Sequence, residues 1–328
     1  MSISRGYSHP AGKIGPLHYG TRNGSFKTGT LRQANAFSWQ SKRQSIVSNS
    51  TGSPSPDVVE IPTKLNNIPH TREIRRFFYD DVVKSVDAAL ADGNRLLSIR
   101  CTVPELNPEF DVYRVGTLLE LVREIVTSIC VDGTKVKVCV QQSLGTGVFQ
   151  GTPLALSGVR RILDMMDWGQ AAPFVVMGQL GADVVEDEYD AYILISPQNI
   201  TGHSVLPLIE EMVEKARPNP NKKIILINPR LGDIPSSAGV MGIRGRQERQ
   251  DFIASFLTAY HFRLLYIGMG PYPIMGALRH EYKSTWDVYR RTEAVTEEGL
   301  RNEEYILLKQ FDSEPNASMI TECFQSKK

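Results

Sequence analysis

Two apolar runs, Ala191–Ser196 (AYILIS) and Ile224–Ile227 (IILI), decide the fold of this 328-residue chain. Asp190 and Pro197 bound the first run, and both runs consist almost entirely of apolar residues. Such runs are typical of strands that are buried on both faces of a parallel sheet. A helical pattern from Val205 to Ala216 lies between them, so the segment reads as a strand–helix–strand unit.

The same alternation continues on both sides of this unit. Further apolar runs predict strands at Leu96–Val103, Val136–Val140, Phe174–Met177 and Phe262–Ile267. Helical spacing of apolar residues predicts helices at 71–92, 112–129, 154–166 and 247–260. Because right-handed crossovers join parallel strands, we expect a single Rossmann-like α/β domain over residues 70–295, with a mostly parallel sheet flanked by helices. Residues 296–328 are predicted to form a tail that combines a short element near Tyr305 with disorder.

The first 56 residues differ in composition from the rest of the chain. They contain seven Arg or Lys residues, no Asp or Glu, and many Ser, Thr and Gly residues. They also lack the apolar run of about 7–15 residues that a secretory signal requires. Arg- and Ser-rich, acid-poor segments are typical of organelle transit peptides, and the lack of a sustained Arg-bearing amphipathic helix favours plastids over mitochondria. We expect residues 1–56 to be a disordered chloroplast transit peptide; an ordinary polar tail is the alternative.

The remainder of the chain is acidic. The whole chain carries 37 basic and 36 acidic residues, so residues 57–328 retain 30 basic against 36 acidic ones, a formal charge of −6. Nucleic-acid binding requires a clustered positive field, so this balance argues against nucleic acid as the main partner. No stretch of about 18 uninterrupted apolar residues suits a membrane span.

Polar side chains follow the predicted strands at their carboxyl ends. Gln198 and Asn199 come soon after AYILIS, and Asn228 and Arg230 come soon after IILI. Parallel strands deliver their following loops to one edge of the sheet, where ligands of such folds bind. The side chains therefore form either a polar surface for a ligand or partner, or local caps that pin the loops. The sequence leaves both interpretations open.

The segment 239–249 (GVMGIRGRQER) adds two arginines, Arg244 and Arg246, immediately before a predicted helix. Glycines let backbone N–H groups face a ligand, and arginines present fixed donors to phosphate or carboxylate groups. We expect these two arginines to lie on the same binding surface as the four residues above. A solvated loop is the alternative.

Established catalytic patterns are absent from the sequence. There is no G-x-S-x-G, H-E-x-x-H or G-x-x-x-x-G-K-[ST], and glycines 145, 147 and 151 miss the G-x-G-x-x-G spacing by one residue. His203, His261 and His280 are predicted to be a helix cap, a residue preceding a strand and part of an exposed turn. The four scattered cysteines are predicted to be buried thiols. We expect no catalytic residue, metal site or cofactor, although the sequence does not exclude an enzyme.

Several stretches of the body resemble one family. They are residues 112–169, 190–213 (DAYILISPQNITGHSVLPLIEEMV), 225–252 (ILINPRLGDIPSSAGVMGIRGRQERQDF), 259–266 (AYHFRLLY) and 271–282 (PYPIMGALRHEY). They resemble the plant and algal domain of unknown function 1995, a family that includes the chloroplast Low PSII Accumulation proteins. The resemblance covers roughly residues 73–295. It implies a chloroplast protein with a role in photosystem II biogenesis, and it supplies no active-site residues.

Two functions compete on these grounds. The first is a non-catalytic auxiliary protein, in the stroma or on the stromal face of the thylakoid, that binds photosystem II subunits or other assembly factors; these partners are implied by the resemblance. The alternative is a soluble plastid enzyme or a phosphate-ligand-binding protein. It would use the carboxyl edge of the sheet, with Arg230 and Arg244, to bind a small anionic ligand.

Overall fold

The computed structural model describes residues 60–107, 115–142, 158–200, 203–232, 245–267, 273–295 and 301–325. Its helices are α1 (Arg72–Ala91), α2 (Gly116–Ile129), α3 (Val159–Asp164), α4 (Leu206–Ala216), α5 (Arg246–Ala254) and α6 (Ala317–Gln325). Its strands are β1 (Leu96–Thr102), β2 (Val136–Val140), β3 (Val175–Gln179), β4 (Ala191–Ile195), β5 (Lys223–Ile227), β6 (Leu257–Tyr266), β7 (Ile274–Glu281), β8 (Trp286–Val295) and β9 (Arg301–Phe311).

The described strands form one nine-stranded sheet in the order β3-β2-β4-β5-β1-β6-β7-β8-β9. Pairing is parallel from β3 through β6, which confirms the predicted mostly parallel α/β sheet, and antiparallel from β6 to β9. Neighbouring parallel strands end level, since Val140 lies opposite Ile195 and Ile195 opposite Ile227. The loops that follow them therefore emerge at one edge, which we call the carboxyl edge.

Helices cover both faces of the sheet. On the α1 face, α1 and α2 pack on apolar side chains that include Leu97 and Ile225. On the opposite α4 face, α4 packs on Leu194 and Leu226, and α6 packs on Leu278 nearer the antiparallel end. Strand β4 is buried along its whole length because both of its faces are covered. This explains why its sequence is continuously apolar.

The predicted helix 247–260 is wrong in its last part. Helix α5 ends at Ala254, and β6 begins at Leu257, where it pairs with Leu97 of β1. The apolar spacing that suggested a longer helix comes from Ala259 and Tyr260, which are buried strand residues. Pairing with the central strand β1 overrides the local helical pattern here.

The sheet continues beyond residue 295, where the sequence suggested a tail. Strand β9 pairs with β8 along its length, and α6 buries Ile320 and Cys323 against the antiparallel strands. Only a weak pattern marks β9 in the sequence because it is the edge strand, and Ile306 and Leu307 are partly solvent-exposed. The predicted transit peptide, residues 1–56, lies outside the described residues.

Candidate functional site

The carboxyl edge brings together four of the residues that the sequence analysis selected. Gln198 and Asn199 follow β4, and Asn228 and Arg230 follow β5, its parallel neighbour. The two loops continue to pair beyond the strands, because Gln198 and Arg230 form a parallel β-bridge. The backbone N–H of Arg230 donates to Pro197 O at 2.8 Å. The backbone pairing of β4 and β5 therefore continues into the loops of the carboxyl edge.

Asn228 joins β5 to β1. Its Oδ1 accepts a hydrogen bond from the backbone N–H of Cys101 at 2.6 Å, and its Nδ2 donates to Cys101 O at 2.9 Å and to Leu106 O at 3.0 Å. Its φ of 48° lies in the left-handed region, which asparagine tolerates better than most residues. Asn228 is buried, and its amide is used inside the fold.

Asn199 holds the beginning of α4. Its Oδ1 accepts from the backbone N–H of Val205 at 2.9 Å and from Ser204 Oγ at 3.0 Å. Its Nδ2 donates to Leu231 O at 2.8 Å, which ties the loop after β4 to the loop after β5. The side chain therefore supplies a cap to the helix N-terminus and pins two loops together.

Gln198 lies between the buried Gln141 and the exposed Arg230 and contacts both. Its backbone N–H donates to Gln141 Oε1 at 2.7 Å, and its carbonyl accepts from Gln141 Nε2 at 2.9 Å. Its own side-chain Oε1 accepts from Arg230 Nη1 at 2.7 Å. Arg230 is exposed, and its guanidinium is held by this contact with Gln198.

The structure thus unites Gln198, Asn199, Asn228 and Arg230; the amides of Asn199 and Asn228 pin the loops, and that of Gln198 accepts a hydrogen bond from Arg230. Arg246 is the exposed first residue of α5, directly after Gly245, whose φ is 70°. Arg244 and glycines 145, 147 and 151 lie outside the described residues. A binding role for the four residues and the two arginines stays a prediction.

Sequence reasoning missed a polar row on the α4 face. Alternate residues of β1 and β6 point to this face, and they include Arg100, His261 and Arg263. The sequence signal was present in LLSIRCT, where polar residues alternate with apolar ones as in a strand with one polar face. The predictions for His261 and His280 were wrong: His261 lies within β6 rather than before a strand, and His280 lies within β7 rather than in an exposed turn. They pair directly across β6 and β7, and His261 is 2% exposed.

A buried ionic cluster docks α1 onto the antiparallel strands. Arg279 of β7 is 5% exposed, and its Nη2 donates to Asp81 Oδ2 of α1 at 2.7 Å and also pairs with Glu281. Burial raises the pKa of Asp81, and the neighbouring Arg279 opposes that rise. Each charge in this cluster has a partner within the fold, so the role of the cluster is structural.

The cysteines are buried thiols, as predicted. Cys101, Cys130, Cys139 and Cys323 are all buried thiols. Burial raises the pKa of Cys130 to about 11 and that of Cys139 to about 12. Thiols with such pKa values are protonated at neutral pH, which makes them poor nucleophiles.

Within the described ranges, no helix has both the length and the apolar character to cross a membrane. No cluster of three or more His, Cys, Asp or Glu side chains in those ranges could hold a metal ion.

One comparison with known proteins bears on identity. A family model described as "Domain of unknown function (DUF1995)" matches residues 72–322. The matched span begins at the first helix of the described fold and ends within the last one.

Proposed function

The chain belongs to the DUF1995 family, and on that premise we propose that it is a non-catalytic plastid protein that assists photosystem II biogenesis by binding a photosystem subunit or another assembly factor. One observation carries the binding part of this proposal. The carboxyl edge presents the exposed Arg230 guanidinium on two loops that buried amide side chains hold rigid. A rigid support is what a recognition surface requires.

The proposed location rests on composition. Residues 1–56 lack acidic residues and are the candidate import signal, and the body that follows has a formal charge of −6. A negatively charged body is poorly suited to anionic lipid. We therefore place the protein in the stroma or on the stromal face of the thylakoid, held there by a protein partner.

The test of this proposal is a pull-down with the full chain. A tagged full-length chain expressed in chloroplasts should recover photosystem II subunits or assembly factors, and salt or alkaline washing should release it from thylakoids. Arg230→Ala should reduce recovery about tenfold or more, as expected for loss of a charged hydrogen bond at a desolvated contact. Arg217→Ala is the matched control, because Arg217 is an exposed arginine just after α4 whose Nη2 pairs with Glu214.

Two results would contradict the proposal. One is a chain that remains free in the stroma while photosystem II accumulates normally in its absence. The other is equal recovery of partners by Arg230→Ala and the unaltered protein. Retention on thylakoids after both washes would show that a lipid attachment, and not a protein partner, holds the protein there.

The second candidate function is binding or conversion of a small phosphate ligand at the same edge. Arg230 favours it, because a guanidinium braced at the carboxyl ends of parallel strands is suited to phosphate. A thermal-shift screen with nucleotides and sugar phosphates distinguishes the two functions. A ligand-induced shift that Arg230→Ala abolishes would favour the second.

A further inference from the structure

The β1–β6 stripe is a row of polar side chains on the α4 face, formed by Ser98, Arg100, Thr102, His261 and Arg263. Its position follows from strand register. Ser98 lies opposite Leu226, on which α4 packs, and Arg263 lies opposite Leu278, on which α6 packs. The stripe therefore runs along the middle of the sheet, between the apolar surfaces that these two helices cover.

The two arginines of the stripe are close to each other. Arg100 pairs with His261 and Thr102 with Arg263, so Arg100 and Arg263 are diagonal neighbours on adjacent strands. Arg100 is exposed although β1 is an interior strand, and Arg263 is half-buried. Burial and the charge of Arg100 lower the pKa of Arg263, and Glu314 opposes this effect.

Neither arginine is neutralised by direct contact. In the ranges that the structure covers, Arg100 and Arg263 make no side-chain hydrogen bond and no ion pair within 4.0 Å. The buried arginine of the opposite face differs, because Arg279 pairs with Asp81 and Glu281. Two adjacent cations repel each other, and Glu314 acts on Arg263 only from beyond ion-pair distance, so a bound anion would explain why both arginines lie in the middle of the sheet.

His261 supplies a buried imidazole to the stripe. It is 2% exposed, and its Nε2 has no hydrogen-bond partner among the described residues. Its ring meets Trp286 edge-on with centroids 4.9 Å apart, while His280 stacks on Trp286 at 4.5 Å. Burial, together with the charges of Arg100 and Arg263, keeps the pKa of His261 well below its usual value, so the imidazole is neutral.

From this geometry we propose that the β1–β6 stripe binds the phosphate group of a small phosphorylated molecule, with Arg100 and Arg263 as its charged ligands and His261 as a neutral hydrogen-bonding group. Two guanidinium groups match the charge of a phosphate monoester, which is about −1.5 to −2 at neutral pH. A polyanion such as nucleic acid fits less well, because the body is net acidic and Glu314 lies near Arg263. This site is separate from the partner-binding role of Arg230 and does not depend on it.

The experiment uses the full chain with inorganic phosphate as the probe. Thermal shift and calorimetric titration are carried out with phosphate, and with acetate and chloride at matched ionic strength. Phosphate should raise the melting temperature and bind with a measurable Kd, whereas acetate and chloride should not. Arg100→Gln and Arg263→Gln should each weaken phosphate binding about tenfold or more. Arg217→Gln should bind as the unaltered protein does.

The melting temperature without phosphate distinguishes a variant that has lost phosphate binding from one that has lost its fold. Without phosphate, Arg263→Gln should melt no lower than the unaltered protein, because the substitution removes like-charge repulsion and a half-buried charge. Arg100→Gln alters an exposed side chain, so it should also stay folded. Full stability combined with lost phosphate binding is the expected pair of results.

Three outcomes would overturn the proposal. The first is no stabilisation of the unaltered protein beyond that given by chloride. The second is an equal phosphate shift in Arg100→Gln, Arg263→Gln and Arg217→Gln, which is the general effect of an excluded salt. The third is binding of a short oligonucleotide without binding of phosphate, which would assign the stripe to a polyanion instead.

Discussion

The carboxyl edge and the β1–β6 stripe are both polar, but their side chains are used differently. At the edge, Asn199 and Asn228 donate and accept hydrogen bonds with backbone groups of neighbouring segments. In the stripe, Arg100 and Arg263 make no such contacts with the described residues. Polar residues that follow strands therefore do not by themselves indicate a ligand site. What matters is whether their hydrogen-bonding groups are already satisfied within the fold.

The largest expected effect is that of Asn228→Ala. The substitution leaves the backbone groups of Cys101 and Leu106 without their buried partner, and it places alanine at a φ of 48°. We expect the free energy of unfolding to fall by about 3–5 kcal/mol. Urea unfolding measures this change. Asn228→Gly loses the same hydrogen bonds, but glycine adopts a φ of 48° without strain. Its loss in the free energy of unfolding should therefore be only about 1 kcal/mol smaller than that of Asn228→Ala. A loss below about 1 kcal/mol for Asn228→Ala would show that this amide does not hold the edge.

The next largest expected effect is the pH dependence of stability that His261 of the β1–β6 stripe causes. Because His261 has a lowered pKa in the folded protein, the unfolded chain binds its proton first as the pH falls below about 6.5. The stability that neutral His261 contributes is present above that pH and is lost below it, by about 2 kcal/mol between about pH 7 and about pH 5. His261→Gln should remove this part of the pH dependence in urea unfolding. The exposed His203→Gln should keep it. Parallel pH profiles for His261→Gln and the unaltered protein would contradict the burial of a neutral imidazole.

Asn199→Ala tests the edge at a second point. The cap of α4 and the contact with Leu231 are both lost, so we expect a loss of about 1–2 kcal/mol in the free energy of unfolding. Ser204→Ala is the matched control, because it removes the hydroxyl that accepts from the Leu206 N–H at 3.3 Å but leaves the bonds of Asn199 to Val205 and Leu231 in place. It should cost less than Asn199→Ala. The reverse order would assign the cap to Ser204.

The smallest expected effect on stability is that of Arg230→Ala. Arg230 is exposed, and its bond to Gln198 is partly solvated, so we expect a change below about 1 kcal/mol. Urea unfolding beside Asn199→Ala gives the comparison directly. A loss as large as that of Asn199→Ala would make Arg230 another structural pin and would remove it as the presenting group of the edge.

The candidate site was only partly predictable from the sequence. The order β4, α4, β5 places Gln198 and Arg230 on one edge, and that much follows from local patterns and the geometry of parallel sheets. The roles of the amides could not be read from the sequence, because the partners of Asn228 lie in and just after β1, far away in the chain. The β1–β6 stripe was missed for a similar reason. Arg100 and Arg263 become neighbours only when β6 pairs with β1.

The sequence alone determined the α/β class, the parallel strands and the apolar centre of the sheet. It did so because a strand buried on both faces, such as β4, needs a continuous apolar run that is visible in any local window. Only the tertiary structure decided where β6 begins, how β7, β8 and β9 extend the sheet, and which polar groups are satisfied. These outcomes depend on strand order and register, which bring distant segments into contact and allow pairing to override local preference.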